Sequence, residues 1–107
     1  DFIQASSYEG KDNSGGVKIS KDIKTDLKGK EVYIVDDLID TGNTMKEILF
    51  YLEDYKPANV SIVTAFNRKS SPHYVDHFAC EIGDEWIVGY GLDDNGLKRN
   101  LTELYAL

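Results

Sequence analysis

Residues 32–45 read Val32-Tyr33-Ile34-Val35-Asp36-Asp37-Leu38-Ile39-Asp40-Thr41-Gly42-Asn43-Thr44-Met45. They begin with a short apolar run rich in β-branched side chains, which predicts a strand covered on both faces. Asp36 and Asp37 follow at the predicted end of this strand. Because burying an unpaired charge is costly, at least one of the two carboxylates is expected to meet a cation, a hydroxyl group or water.

A loop of small polar residues follows the two acids and leads into a predicted helix that begins near Thr44. Gly42 lets the backbone turn and approach a ligand closely, and Thr41 and Thr44 offer hydroxyl donors. The free N–H groups at a helix start form a natural site for an anion, most often a phosphate. The stretch therefore predicts a phosphate cradle beside carboxylates suited to a sugar diol or Mg²⁺.

The composition indicates one globular domain, residues 1–107, with a single core. Hydrophobic residues make up 41% of the chain, and the formal net charge is −7. Such a charge argues against non-specific binding to nucleic acid or to an anionic membrane, since both favour a basic surface. A phosphorylated ligand must then be held by local donors and by metal.

Cys80 is the single cysteine, so an internal disulfide is impossible, and we expect its thiol to be buried. No apolar run is long enough to span a membrane, and no signal peptide is visible. These features together predict a cytoplasmic protein.

The hydrophobic pattern after residue 45 predicts a helix and a second strand. One apolar face recurs at helical spacing and consists of Met45, Ile48, Leu49 and Leu52. Strand, helix and strand in this order imply a right-handed crossover between two parallel strands. Ligands of such sheets lie beyond the carboxyl ends of the strands, so residues 36–44 and 67–69 are expected to face one crevice.

The N-terminal residues predict a hairpin. Residues 1–6 and 17–20 have the pattern of strands, and the polar, glycine-rich residues 7–16 join them. Composition alone favours an ordinary surface loop for this segment.

Residues 35–45 closely resemble the 5-phosphoribosyl 1-pyrophosphate (PRPP) motif of type I phosphoribosyltransferases: an apolar strand, two acids, two apolar residues, Asp-Thr-Gly, any residue and Thr. Residues 86–93, with Arg99 beyond them and Ser7-Tyr8 near the start, resemble the hypoxanthine(-guanine) phosphoribosyltransferases within that family. The resemblance spans nearly the whole chain but only the second half or so of the family's usual length. It implies an α/β fold with a mainly parallel twisted sheet flanked by helices and a flexible lid hairpin, without the N-terminal part of the fold.

The resemblance also implies roles for the motif residues. Asp40 lies against PRPP and is the base that accepts the purine N7 proton. Asp36 and Asp37 bind the ribose hydroxyls and contribute to the Mg²⁺ site, although the family more often has Glu where Asp36 stands. The residues that cradle the 5′-phosphate are Thr41, Gly42, Asn43 and Thr44. The family often has Lys at the third of these positions.

Residues outside the motif complete the implied site. Those that contact the purine are Arg68 or Lys69, Trp86, Ile87 and Asp93. The cation donates to the 6-oxo group, the indole stacks on the ring, Ile87 binds through its backbone, and Asp93 also coordinates Mg²⁺. The ungapped count favours Arg68 over Lys69. Ser7 and Tyr8 belong to the lid, and Arg99 contacts pyrophosphate.

The function implied by the resemblance is purine salvage, in which PRPP and hypoxanthine or guanine give IMP or GMP and pyrophosphate, with Mg²⁺ as cofactor. The partners are then small molecules, with no nucleic acid and no membrane, and the chain forms a homodimer or homotetramer. Enzymes specific for xanthine, adenine or orotate are alternatives, although a cation at residue 68 or 69 favours a 6-oxopurine over adenine. A non-catalytic regulator that senses PRPP or nucleotide, and an inert fragment, also remain open.

Overall fold

The computed structural model describes residues 1–8, 16–71 and 73–107, and it describes only the backbone of Ser7 and Tyr8. The elements in these ranges are β1 (Gln4–Tyr8), β2 (Gly16–Lys21), β3 (Glu31–Leu38), α1 (Asn43–Glu53), β4 (Asn59–Arg68), β5 (His77–Ile82), β6 (Ile87–Val88) and β7 (Tyr105–Ala106). The tip of the predicted lid, residues 9–15, lies outside them. No helix in the described ranges has the length and apolar character needed to cross a bilayer.

The central sheet has the strand order β3-β4-β5, and its strands are parallel. Because α1 connects β3 to β4, the predicted strand–helix–strand crossover and the α/β fold class are confirmed. β1 and β2 form the predicted antiparallel hairpin, and β6 pairs with β7 near the end of the chain. The carboxyl ends of β3 and β4 lie side by side, with Leu38 paired with Phe66.

The helix α1 organises the core. Its buried side chains are Met45, Ile48 and Leu52, which confirms the predicted apolar face. The first core cluster consists of Leu27, Ile48 and Leu52, and the second consists of Ile39, Met45 and Ile62. Burying a side chain of this size contributes roughly 1.5–3 kcal/mol. α1 therefore holds the loop that precedes it, through Ile39, against the sheet.

β3 departs from the prediction in two respects. The strand continues to Leu38, so Asp36 and Asp37 lie within it instead of following it. Side chains alternate between the two faces of a strand, and the face opposite α1 is open, with Tyr33 60% and Val35 76% exposed. The expectation of a strand covered on both faces is therefore wrong for the described part of the chain, because α1 covers only one face.

The expectation that Cys80 is buried is also wrong, since its thiol is exposed. Cys80 lies in β5, which is an edge strand of the sheet. The core clusters around α1 draw on β3 and β4, so the side chains of β5 remain outside them.

The base of the β1–β2 hairpin is attached to α1 by a polar cluster. Asp22, directly after β2, accepts hydrogen bonds from the hydroxyl groups of Tyr51 and Tyr55, the latter at 2.7 Å. Three hydrogen bonds hold the pKa of Asp22 below its ordinary value. The largest effect comes from the Tyr51 hydroxyl, followed by the Tyr55 hydroxyl and the N–H group of Ile23. The apolar side chains of the hairpin that pack on the first core cluster are Ile3, Ala5 and Ile19.

The substitution Asp22→Asn is expected to lower the midpoint of thermal unfolding by a few degrees at pH 7. A carboxyl group whose pKa is lowered by folding stabilises the fold above its ordinary value of 3.8, and this contribution disappears as the pH falls through the lowered pKa. The difference between wild type and variant should therefore vanish in acid. Thermal scans from pH 7 down to pH ~2.5 measure it, and a difference that does not depend on pH would contradict the assignment.

Candidate active site

Two adjoining cavities lie at the carboxyl ends of β3 and β4. The first has a volume of about 240 Å³, and its polar lining consists of Asp36, Asp40, Thr41, Gly42 and Thr44. The second has a volume of about 180 Å³, and its lining includes Asp40, Arg68, Trp86, Ile87 and Asp93. Leu38 and Asp40 line both cavities. The two cavities therefore form one crevice, as expected for neighbouring parallel strands.

The start of α1 forms one end of the first cavity. Gly42 precedes the helix with a positive φ of 71°, and its carbonyl accepts a hydrogen bond from the N–H group of Lys46 at 2.9 Å. No side chain in the described ranges caps the first N–H groups of α1. These donors can therefore serve an anion that enters the cavity.

Asp36 and Asp37 lie on opposite faces of β3, because consecutive residues of a strand alternate. Asp36 lines the first cavity on the side of α1, whereas Asp37 does not line either cavity. Burial raises the pKa of Asp36, and the neighbouring charge of Asp37 adds to this effect, while a hydrogen bond from the Asp37 N–H group at 2.9 Å opposes it. A cation or hydroxyl group in the first cavity would therefore stabilise the ionised form of Asp36.

Arg68 ends β4 and lines the second cavity. Its Nη1 donates to the carbonyl oxygens of Gly83 at 2.9 Å and Glu85 at 2.8 Å, so the guanidinium holds the turn that leads into Trp86. Lys69 is not among the residues that line this cavity, and its Nζ lies 3.5 Å from the Glu81 carboxylate. Of the two cations, the structure places Arg68 in the crevice.

Asp93 closes the far end of the second cavity. Its carboxylate accepts a hydrogen bond from the N–H group of Gly96 at 2.6 Å and lies 2.8 Å from Nη2 of Arg99. Nη1 of Arg99 also donates to the carbonyl of Gly91 at 2.8 Å. Arg99 therefore approaches the crevice through Asp93, without lining either cavity itself.

The remaining predicted residues are placed as follows. Trp86 lines the second cavity and is 57% exposed, so the face of its indole ring is open to a ligand. Ile87 also lines this cavity but its side chain is buried, which leaves its backbone groups for a ligand. Asn43 is the first residue of α1 and does not line the first cavity. The predicted lid residues Ser7 and Tyr8 are described by their backbone only, so their side chains lie outside the described part of the structure.

In the second cavity, sequence reasoning missed two apolar lining residues, Leu38 and Leu92. Alternation along β3 could have found Leu38, since it shares a face with Asp36. Leu92 is placed by a bridge to Gly89, where φ is 87° and an added Cβ would collide with the Glu103 carbonyl. No local pattern in the sequence signals that contact.

A metal cage made only of protein side chains is not present in the described residues, because no three His, Cys, Asp or Glu side chains converge. Mg²⁺ does not require such a cage, since it is often held by one or two carboxylates, water and substrate phosphates. Asp36 and Asp93 each present a carboxylate to the crevice. The donor set therefore fits Mg²⁺ that arrives with a phosphorylated ligand.

The comparison with known families decides what this crevice belongs to. The family model of the phosphoribosyl transferase domain matches residues 1–95. The chain belongs to this family. The phosphoribosyl transferase motif identified in residues 35–45 is thus the strand end, loop and helix start that form the first cavity.

Particular phosphoribosyltransferases are similar to the whole chain. The hypoxanthine-guanine phosphoribosyltransferase of Aquifex aeolicus is 43% identical, over 100% of this chain and 62% of that protein. The hypoxanthine-guanine-xanthine phosphoribosyltransferase of Tritrichomonas foetus is 37% identical, over 100% and 61%. The crystal structure of a Staphylococcus aureus hypoxanthine phosphoribosyltransferase superposes with a TM-score of 0.85 at 35% identity, over 100% and 60%. The chain therefore spans about three fifths of the length of these relatives, and the resemblance inferred from its motifs is confirmed.

The substitution Gly42→Ala is expected to destabilise this phosphoribosyl transferase domain. An L-residue at positive φ costs about 1–2 kcal/mol, and an added Cβ at residue 42 would also fall against the ring of His73. Gly29 is the matched control, since its φ is 69° but an added Cβ would meet open space. We expect urea denaturation to show a larger loss of unfolding free energy for Gly42→Ala than for Gly29→Ala. Equal losses would mean that the His73 contact is of no consequence.

Proposed function

We propose that this chain forms the PRPP- and purine-binding part of a hypoxanthine(-guanine) phosphoribosyltransferase. In the proposed reaction, PRPP and hypoxanthine or guanine give IMP or GMP and pyrophosphate. Similarity over the whole chain to enzymes named for these bases supports the proposal. The chain covers about 62% of the Aquifex relative, so its own activity, substrates and partners are part of what we propose.

The position of Asp40 carries the proposal. This carboxylate lines both cavities, one of which begins at the start of a helix and the other of which contains Trp86 and Arg68. A ribose 5-phosphate in the first cavity and a purine in the second would meet beside Asp40. That is the position from which one carboxylate can accept a proton from the purine and stabilise positive charge on the ribose.

The other residues bind and orient the two reactants. Thr41, Thr44 and the first N–H groups of α1 donate to the 5′-phosphate, and Asp36 accepts from the ribose hydroxyls. Arg68 donates to the 6-oxo group of the purine. Such positioning supplies a large part of the rate enhancement of a bimolecular reaction.

Mg²⁺ would be held by Asp36 and Asp93, the two predicted metal ligands that line the cavities, together with oxygens of the substrate. When bound, it neutralises charge on the pyrophosphate leaving group.

We further propose a cytoplasmic protein, consistent with its single cysteine. We also propose a homodimer or homotetramer, which light scattering of the purified chain would test.

Product formation by the purified chain tests the proposed function. PRPP, Mg²⁺ and one base at a time, hypoxanthine, guanine, xanthine or adenine, are incubated with the protein, and pyrophosphate and nucleotide are quantified together. Equal amounts of pyrophosphate and IMP or GMP are expected, with no AMP, because Arg68 offers a donor to an oxo group. A chain that binds PRPP but converts no base would favour the regulator hypothesis, and one that binds no PRPP would refute both.

Xanthine is the second candidate base. It is favoured by the similarity to an enzyme whose name includes xanthine. Formation of XMP at a rate comparable with that of IMP would establish this wider specificity.

A further inference from the structure

Thr64 is a buried polar residue in the middle of β4. It is 2% exposed, and its Oγ1 has no hydrogen-bond partner among the described residues. A buried hydroxyl group without a partner costs free energy that a similarly shaped apolar side chain would not. Residues flanking it on the same face, such as Ile62, are apolar core residues. A hydroxyl group at this position therefore calls for an explanation.

The strand register places Thr64 beside Asp36. The two residues are direct partners in the parallel β3–β4 ladder, and paired residues of a ladder project to the same face of the sheet. Adjacent strands lie about 4.8 Å apart, which is close enough for a hydroxyl group to reach a neighbouring carboxylate after a change of rotamer. An unpartnered donor is thus the neighbour of an acid that lines the first cavity.

We propose that Thr64 is a positioning residue for Asp36, donating a hydrogen bond from Oγ1 to the carboxylate when Asp36 turns to bind the diol of a phosphorylated sugar. The inference rests on the proposed function, which assigns that diol to Asp36. Thr64 is too deeply buried to contact the ligand itself. Its hydroxyl group would orient the carboxylate from behind and leave the other lone pairs for the sugar.

This arrangement predicts opposite effects of Thr64 on the free and the ligand-bound chain. Without ligand, the hydroxyl group lacks a partner and destabilises the fold. With ligand, it gains a charged acceptor, and hydrogen bonds to charged groups are among the stronger ones. A purely structural hydroxyl group, bonded to backbone or to water in the free chain, would show the reverse pattern.

The test uses the 107-residue chain and the variants Thr64→Val, Thr64→Ser and Thr102→Val. Valine keeps the shape of threonine without the hydroxyl group, serine keeps the hydroxyl group, and Thr102 is an exposed threonine outside the site. The urea midpoint is measured without ligand, and the Kd for PRPP with Mg²⁺ is measured by calorimetry. We expect Thr64→Val to raise the urea midpoint and to weaken PRPP binding about tenfold. Thr64→Ser should bind PRPP nearly as tightly as wild type, and Thr102→Val should match wild type in both measurements.

Two outcomes would overturn the inference alone: a Thr64→Val variant that binds PRPP as tightly as wild type, or one whose urea midpoint falls below that of wild type. Failure of the wild-type chain to bind PRPP would instead refute the proposed function, and this inference with it. The two failures are therefore distinguishable, because only the second is already visible in the wild-type protein.

Discussion

Replacing Asp40 by asparagine is expected to lower the rate of pyrophosphate release from PRPP and a 6-oxopurine by at least about a hundredfold. The amide keeps the shape of the carboxylate but cannot accept the purine proton or stabilise positive charge on the ribose. Asp40 lines both cavities, so the effect should appear in kcat. The rate of pyrophosphate release at saturating PRPP and hypoxanthine measures it.

Two controls separate a chemical role of Asp40 from a structural one. Asp40 is exposed, so the thermal midpoint of the variant should match that of wild type, and its binding of PRPP should persist. Asp54→Asn changes another exposed carboxylate, at the far end of α1, and should leave the rate unchanged. Full activity of Asp40→Asn would refute the assignment of this residue as the base.

The loop and helix start that line the first cavity could be predicted from sequence because their determinants are local. A β-branched run, two acids, a glycine and a helix start within 14 residues specify a strand, a turn and free N–H donors. The apolar face of α1 follows in the same way from its spacing, and Met45, Ile48 and Leu52 are buried as predicted. Each of these features depends on residues that are neighbours along the chain.

The predictions that proved wrong depend on which other parts of the molecule cover a strand. No local sequence pattern specifies this. The run Tyr33 to Val35 is apolar enough for a strand buried on both faces, yet one face is open. Cys80 is exposed because β5 is an edge strand. The relatives are longer than this chain. The apolar pattern of β3 suits a strand covered on both faces, whereas the described residues cover one face only.

The assignment between Arg68 and Lys69 shows the same limit at the level of the site. Both are cations at the end of one strand, and counting residues favours Arg68 without saying what either contacts. The structure separates them by their partners, since Arg68 bonds to the carbonyls of the turn before Trp86 while Lys69 lies beside Glu81. Those partners lie more than ten residues along the chain, so no local rule could supply them.

The substitution Arg68→Ala is expected to lower kcat/KM for hypoxanthine by about 10- to 100-fold, mainly through a higher KM. The variant loses the donor that we assign to the 6-oxo group. It also leaves the carbonyls of Gly83 and Glu85 without the Nη1 donor, which should loosen the turn that carries Trp86. We expect a loss of about 1–3 kcal/mol in unfolding free energy. Steady-state kinetics with PRPP at saturation and urea denaturation measure the two effects.

Two further variants divide the role of the charge from that of the fork-shaped guanidinium. Arg68→Lys keeps a cation but cannot span both carbonyls in the same way, so it should recover part of the affinity for hypoxanthine and little of the stability. Lys69→Ala removes the neighbouring cation, whose Nζ–Glu81 pair is solvent-exposed, and should change neither quantity appreciably. If Lys69→Ala instead raised KM for hypoxanthine as much as Arg68→Ala, the 6-oxo donor would be Lys69, and Arg68 would serve only to hold the turn.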